Sequence, residues 1–215
     1  TEGPGLSPTS MSCYLNCSLQ FYLKFIEKIK DNTTDEVIQS NVIGSIIHDT
    51  FQNLYEHFGK DEITSDIFNE VVDRHLKESH HNALTKNKFP NGLPDTGFNY
   101  LNKMIMEKLI NNFINFEREQ LKDNNISILE LEKEMIHYFY VNETNVKLSG
   151  RADRIDMIDN TIRVLDYKSG SVKDDDMIVN KDASTLDKLS AKSLQLIIYK
   201  YLYVKEHPNI NLKNI

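Results

Sequence analysis

Two aspartates and a lysine, Asp153, Asp166 and Lys168, stand in a stretch that reads G-R-A-D-R-I-D-M-I-D-N-T-I-R-V-L-D-Y-K from Gly150 to Lys168. Aliphatic and β-branched residues flank Asp159-Asn160, and an Asp-Asn pair tolerates the positive φ of a tight turn. The stretch is therefore expected to form an antiparallel hairpin with a two-residue loop. That register sets Asp153 opposite Asp166, Arg151 opposite Lys168 and Asp156 opposite Arg163. Opposed side chains lie about 5 Å apart at Cβ, where like charges repel. A divalent cation between the two carboxylates would relieve the repulsion. Side chains alternate across a strand, so Asp166 and Lys168 share a face while Tyr167 points the other way. Carboxylates for a hard cation and a lysine for developing negative charge are the parts of metal-assisted phosphodiester hydrolysis. The competing reading is a surface hairpin laced with salt bridges, which suits Asp156 and Arg163. A one-residue bulge would break the register.

Helices must carry the rest. Ser7-Pro8 or Thr9 can open a first helix running to about Lys30, with Met11, Tyr14, Leu15, Phe21, Tyr22, Phe25 and Ile26 as its apolar positions. A second is expected from about Asp35 to Phe58, with Ile43, Ile46, Ile47, Thr50, Phe51, Leu54 and Phe58 inward and Gly59 as its stop. A third covers Ser65 to Leu84, with Ile67, Val71, Val72 and Leu76 inward. Pro90, Asn91, Gly92, Pro94 and Gly97 break the chain before a fourth, Phe98 to Lys122, with a core face of Met104, Ile105, Leu109, Ile110, Phe113 and Phe116. Strands follow at Ile126–Val141, Val146–Ile158 and Thr161–Lys168, with a turn at Asn142-Glu143-Thr144-Asn145. A polar segment from Ser169 to Ser190 leads into a last helix, Ser193 to Lys205, with Leu194, Ile197, Ile198, Tyr201 and Leu202 as its apolar residues.

The 215 residues are 40% hydrophobic, enough for a real core, and carry a net charge of −7. That balance argues against bulk attraction to a polyanion, so a nucleic-acid ligand would need a local basic face. Lys173, Lys181, Lys188 and Lys192 lie in or beside the polar segment, interrupted by Asp174, Asp175 and Asp176. Cys13 and Cys17 are spaced as neighbours on one helix face, which reads as buried, inert thiols in a reducing, cytoplasmic setting. No apolar run approaches a membrane span. The opening Thr1-Glu2-Gly3-Pro4-Gly5 has neither an initiator Met nor a signal-peptide core, and the chain reads as a piece of a longer protein.

Gly150-Arg151-Ala152-Asp153 followed by Asp166-Tyr167-Lys168 resembles the G-x-x-D and D-Y-K elements of PD-(D/E)XK nucleases of the RecB and AddB type. Other segments fit in the same order. Leu6-Ser7-Pro8-Thr9-Ser10 with Tyr14, Cys17, Phe21 and Tyr22 resembles that family's opening helix, although Ser18 stands where the family usually has Pro. Gly44 with His48 is similar to its G-x-x-x-H, and Gln195 with Tyr199 to its Q-x-x-x-Y. The resemblance runs from Leu6 to Tyr199 and implies a mixed α/β fold, a restriction-endonuclease-like sheet flanked by helices. Residues 1–215 then form a single nuclease domain, with 1–125 a helical part and 126–215 the sheet core carrying the motifs.

By that resemblance Asp153, Asp166, His48 and the backbone carbonyl of Tyr167 would hold Mg2+ or Mn2+, and Lys168 would stabilise charge or orient water. A histidine beside an apolar stripe is also a common packed core residue, so spacing alone leaves His48 open. Gln195 and Tyr199, one turn apart on one helix face, would contact DNA or support the site together with Arg151, unless Tyr199 only completes packing. Glu130, Glu132 and Glu134 alternate along a strand, and a further acidic ligand or a solvated face explains them equally. AddB-type domains hold an iron–sulfur cluster, but two cysteines cannot supply its four ligands, so none is expected within this chain. The implied activity is a metal-dependent DNA exonuclease of recombination or repair, associated with a helicase domain or subunit and with no membrane partner. Rivals are an inactive DNA-binding module, a CRISPR-associated nuclease and an endonuclease of the same superfamily.

Overall fold

Asp159 and Asn160 take φ of 47° and 62°, the left-handed pair of a two-residue hairpin turn, and the strands on either side pair in the expected register from Ile158↔Thr161 to Arg154↔Leu165. The computed structural model describes residues 5–29, 37–59, 62–177, 179 and 189–210. Its elements are α1 (Pro8–Asn16), α2 (Ser18–Phe21), α3 (Ser40–Tyr55), β1 (Glu62–Ile63), α4 (Ser65–Lys86), α5 (Gly97–Gln120), β2 (Ile126–Val141), β3 (Thr144–Ile158), β4 (Thr161–Leu165) and α6 (Ala191–Glu206). The four strands make an antiparallel sheet in the order β1-β2-β3-β4, so the fold is mixed α/β with helices packed on the strands. The two-residue strand β1 is an addition to the expected meander. The turn between β2 and β3 is also tighter than expected, because Asn142 and Glu143 alone take positive φ (44° and 65°).

The chain divides into two compact units, one of Thr34–Glu132 with Asp153–Gly170, the other of Thr1–Thr33, Lys133–Ala152 and Ser171–Ile215. In the first, the stripe of α3 is buried as its spacing requires, from Ile43 through Leu54, with Phe58 beyond it. It packs with Phe68, Val72 and Ala83 of α4, Met106, Ile110 and Ile114 of α5, and Ile126 and Ile128 of β2. The expected face of α5 holds at Ile110, Leu109 and Phe113, which are buried in or packed against the core, and is corrected at three positions. Met104, Ile105 and Phe116 are exposed, and the inward row is Met106, Ile110, Ile114 and Glu117. The cause is Glu117, which is fully buried against Tyr55 and Arg154 and sets the rotation of the helix. In α4, Phe68 takes the core position against Phe58 and leaves Ile67 exposed.

In the second unit, Ser7 caps α1. Its hydroxyl accepts from the Ser10 N–H, and the Ser10 hydroxyl accepts from the Ser7 N–H. The expected continuous helix breaks at Cys17 (φ −160°, ψ 108°), and its presumed end at Lys30 lies outside the described residues. The break leaves Tyr14, Leu15, Tyr22 and Ile26 exposed, and it also exposes Cys17, so the reading of two buried thiols on one face fails. Leu6 bridges beside Leu148 of β3. A Cβ on Gly150 would meet the Tyr199 ring at 2.8 Å, so glycine lets α6 lie directly on β3. That contact turns Leu194, Ile198, Tyr199 and Leu202 inward and leaves Ile197 and Tyr201 exposed. No helix among the described residues is long and apolar enough to cross a membrane.

Candidate metal centre

β4 ends at Leu165, so the paired register stops one residue short of Asp153 and Asp166, and Asp166 and Lys168 follow the strand rather than belonging to it. The N–H of Tyr167 donates to Asp153 Oδ2 at 2.5 Å, which ties the chain after β4 to β3. Tyr167, between Asp166 and Lys168 in the chain, is buried. Its ring is buried against Phe51 and Phe113, each 5.1 Å away. Asp156 and Arg163 face each other and form the bidentate pair that the register predicts, at 2.8 and 2.9 Å.

His48 reaches Asp153 from α3, with Nδ1 3.1 Å from Oδ1. Gly44, one turn earlier, is where a Cβ would crowd Ser169 Oγ at 3.1 Å, so the glycine admits the segment that follows Lys168 close to the helix. Glu132 completes the group: one ligand atom from each of His48, Glu132 and Asp153 lies within 4.8 Å of the others. An octahedral ion with ligands at roughly 2.1 Å separates neighbouring ligand atoms by about 3 Å, so the His48–Asp153 contact has the span of one edge. Imidazole with hard carboxylate oxygen is a donor set that divalent ions such as manganese accept.

Glu132 is the residue that strand alternation could not single out. It has φ +49° inside β2, and buried positions shift from even numbers before it (Ile126, Ile128) to an odd number after it (Met135). A positive φ interrupts the regular alternation at Glu132, so strand geometry alone does not set Glu130, Glu132 and Glu134 on one face. Only the triple glutamate hinted at it.

Asp166 is paired with Lys168, whose Nζ is 2.5 Å from Oδ2. Burial raises the Asp166 carboxyl above the usual range; Lys168 opposes this and the charge of Asp153 adds to it. Burial pulls the His48 imidazole down, but the hydrogen bond and charge of Asp153, with Asp166 and Glu132 beyond, outweigh it and hold His48 above the ordinary histidine value. An excess of negative charge around one imidazole is the setting a bound cation would balance.

Gln195, Tyr199 and Arg151 belong to the second unit. The Gln195 amide donates to the Tyr199 hydroxyl at 2.7 Å, and Arg151 and Tyr199 line a cleft of about 370 Å3 with Ser7, Thr9, Glu134 and Gly150. Lys192 is drawn to Asp176 at 2.7 Å and to the Ser171 carbonyl, while Lys181 and Lys188 lie outside the described residues.

Residues 5–212 match the model of the PD-(D/E)XK nuclease superfamily. The chain belongs to that superfamily. PD-(D/E)XK nucleases use divalent metals, and the His48, Glu132 and Asp153 group is one that can hold such an ion. Among curated proteins no match was found.

Proposed function

We propose that the protein is a Mg2+- or Mn2+-dependent deoxyribonuclease of the RecB and AddB type, acting exonucleolytically in DNA recombination or repair alongside a helicase domain or subunit. The observation that carries the reading is the convergence of His48, Glu132 and Asp153, with Asp166 and Lys168 directly after β4. The order of the other motifs, from Ser7 to Tyr199, supports the subfamily. Residues 1–215 act as one nuclease domain, and a cytoplasmic setting suits the free thiols of Cys13 and Cys17.

His48, Glu132 and Asp153, with Asp166 and the Tyr167 carbonyl, would hold the ion. The chemistry it would supply is polarisation of a phosphoryl oxygen and a water nucleophile competent near neutral pH. The Tyr167 N–H holds one oxygen of Asp153 while the other faces His48, which orients the carboxylate. Lys168 trades Asp166 for the substrate, and its ammonium meets the charge that develops on the phosphate. Gln195, Tyr199 and Arg151 contact the DNA strand.

Linear and circular, single- and double-stranded DNA are incubated with Mg2+ or Mn2+ and the wild type, Asp166→Ala or Lys168→Ala. The wild type is expected to degrade linear DNA only when metal is present. Both variants should lose at least a hundredfold in rate, and Lys168→Ala should still bind metal and DNA. Cleavage of circles would make the enzyme an endonuclease, and wild-type rates from Asp166→Ala would overturn the site.

A further inference from the structure

The residue after Asp153 is the largest fully buried side chain among the described residues, and it is an arginine. Consecutive strand residues face opposite ways, so Arg154 enters the core behind the face that carries Asp153. Its guanidinium lies 3.0 Å from Glu117 Oε1 of α5 and 2.8 Å from Asp156 Oδ2 of β3, and stacks over the Tyr55 ring at 4.3 Å. Tyr55 of α3 donates its hydroxyl to the other Glu117 oxygen at 2.8 Å. Asp156 is gripped in turn by Arg163 of β4. Three elements, α3, α5 and β3, thus meet at one guanidinium one peptide away from Asp153, and β4 is tied in through Asp156.

Buried ion pairs are weak sources of stability, because desolvation offsets most of the attraction and apolar replacements of equal volume are often neutral. What such a network supplies is a fixed geometry. The site face needs one, since the carboxylates of Glu132, Asp153 and Asp166 crowd like charges around His48. We infer that Arg154, clamped by Glu117 and Tyr55, is a positioning residue that holds Asp153 at ligand distance from His48 against this repulsion. The inference rests on Asp153 being a metal ligand, as proposed above.

Mn2+ alone is the probe, titrated by electron paramagnetic resonance into the full chain without DNA, so the readout is independent of cleavage. The variants are Tyr55→Phe, which removes one oxygen, Glu117→Gln, which removes one charge, and a double variant, Glu117→Leu with Arg154→Met made in the Tyr55→Phe background, which replaces the pair by apolar volume, leaves no hydroxyl orphaned and keeps Asp156 on Arg163. Thermal melts are recorded for each. Glu117→Gln and the double variant should bind Mn2+ roughly tenfold more weakly, the loss seen when groups that orient metal ligands are removed, and Tyr55→Phe about threefold more weakly. The double variant should melt close to the wild type, which separates positioning from stability, since a merely structural role would move both together. Wild-type Mn2+ affinity in folded Tyr55→Phe and double variants overturns the inference while leaving the metal centre intact. Absence of Mn2+ binding by the wild type overturns both. Should Glu117→Gln fail to fold, Tyr55→Phe decides.

Discussion

At the scale of single residues the site is a contest between protons and a cation. His48 and Asp166 both hold their protons more tightly in the folded chain than in an unfolded one. A group with a raised folded value stabilises the fold fully below its unfolded value, about 4 for a carboxyl and about 6.5 for an imidazole, and loses that contribution as pH rises through the folded value. His80 works in the opposite direction, because burial depresses it and its contribution fades as pH falls. Its effect cancels when melts with and without metal are subtracted at each pH. Metal needs the deprotonated ligands, so the rise in melting temperature caused by excess Mn2+ should grow steadily from about pH 5 to pH 8. Each proton displaced is worth about tenfold in affinity per pH unit. A metal-induced rise that is flat over this range would mean that neither His48 nor Asp166 competes with the ion.

At the scale of elements, what could be read in advance was whatever rests on local rules. The Asp159-Asn160 turn, the stripe of α3 and the Asp156–Arg163 pair follow from turn chemistry, helical period and register, and all stand in the structure. The rotation of α5 was hidden because a buried Glu117 is decided by a partner 37 residues away, which no local period reveals. The backbone turn at Glu132 was hidden for a similar reason: a glutamate at positive φ violates local preference, and no pattern of residue types announces it. That strain is testable. Replacing Glu132 by Gly removes a left-handed penalty of about 1–2 kcal/mol and one like charge, against roughly 0.5–1 kcal/mol of added unfolded-chain entropy. The metal-free melting temperature of Glu132→Gly should therefore stay level or rise, while its response to Mn2+ largely disappears. Glu130→Gly, at a neighbouring position of ordinary φ, should lower the melting temperature and keep the metal response. A full Mn2+ response in Glu132→Gly would remove Glu132 from the ligand set.

At the scale of the whole molecule, all three residues of the metal group lie in one of the two compact units, on α3, β2 and β3. An ion bound there joins elements far apart in sequence and stabilises only states in which all three are in place. At a hundredfold excess over the dissociation constant that linkage amounts to about 2.7 kcal/mol. Amide exchange reports such a gain locally, because each segment opens with its own free energy. Mn2+ should therefore slow exchange by up to about a hundredfold in α3, in β2 up to Glu132 and from Asp153 to Lys168, since 1.4 kcal/mol is a factor of ten. The segments of the other unit, α1 and α6 with Gln195 and Tyr199, should change far less with metal alone and gain their protection when DNA is added. The net charge of −7 sharpens the expectation, because the ion lowers the repulsion that the acidic chain presents to a polyanion. Equal metal-induced protection in both units would show that they open as one cooperative body. Protection confined to α1 and α6 would place the ion away from His48, Glu132 and Asp153.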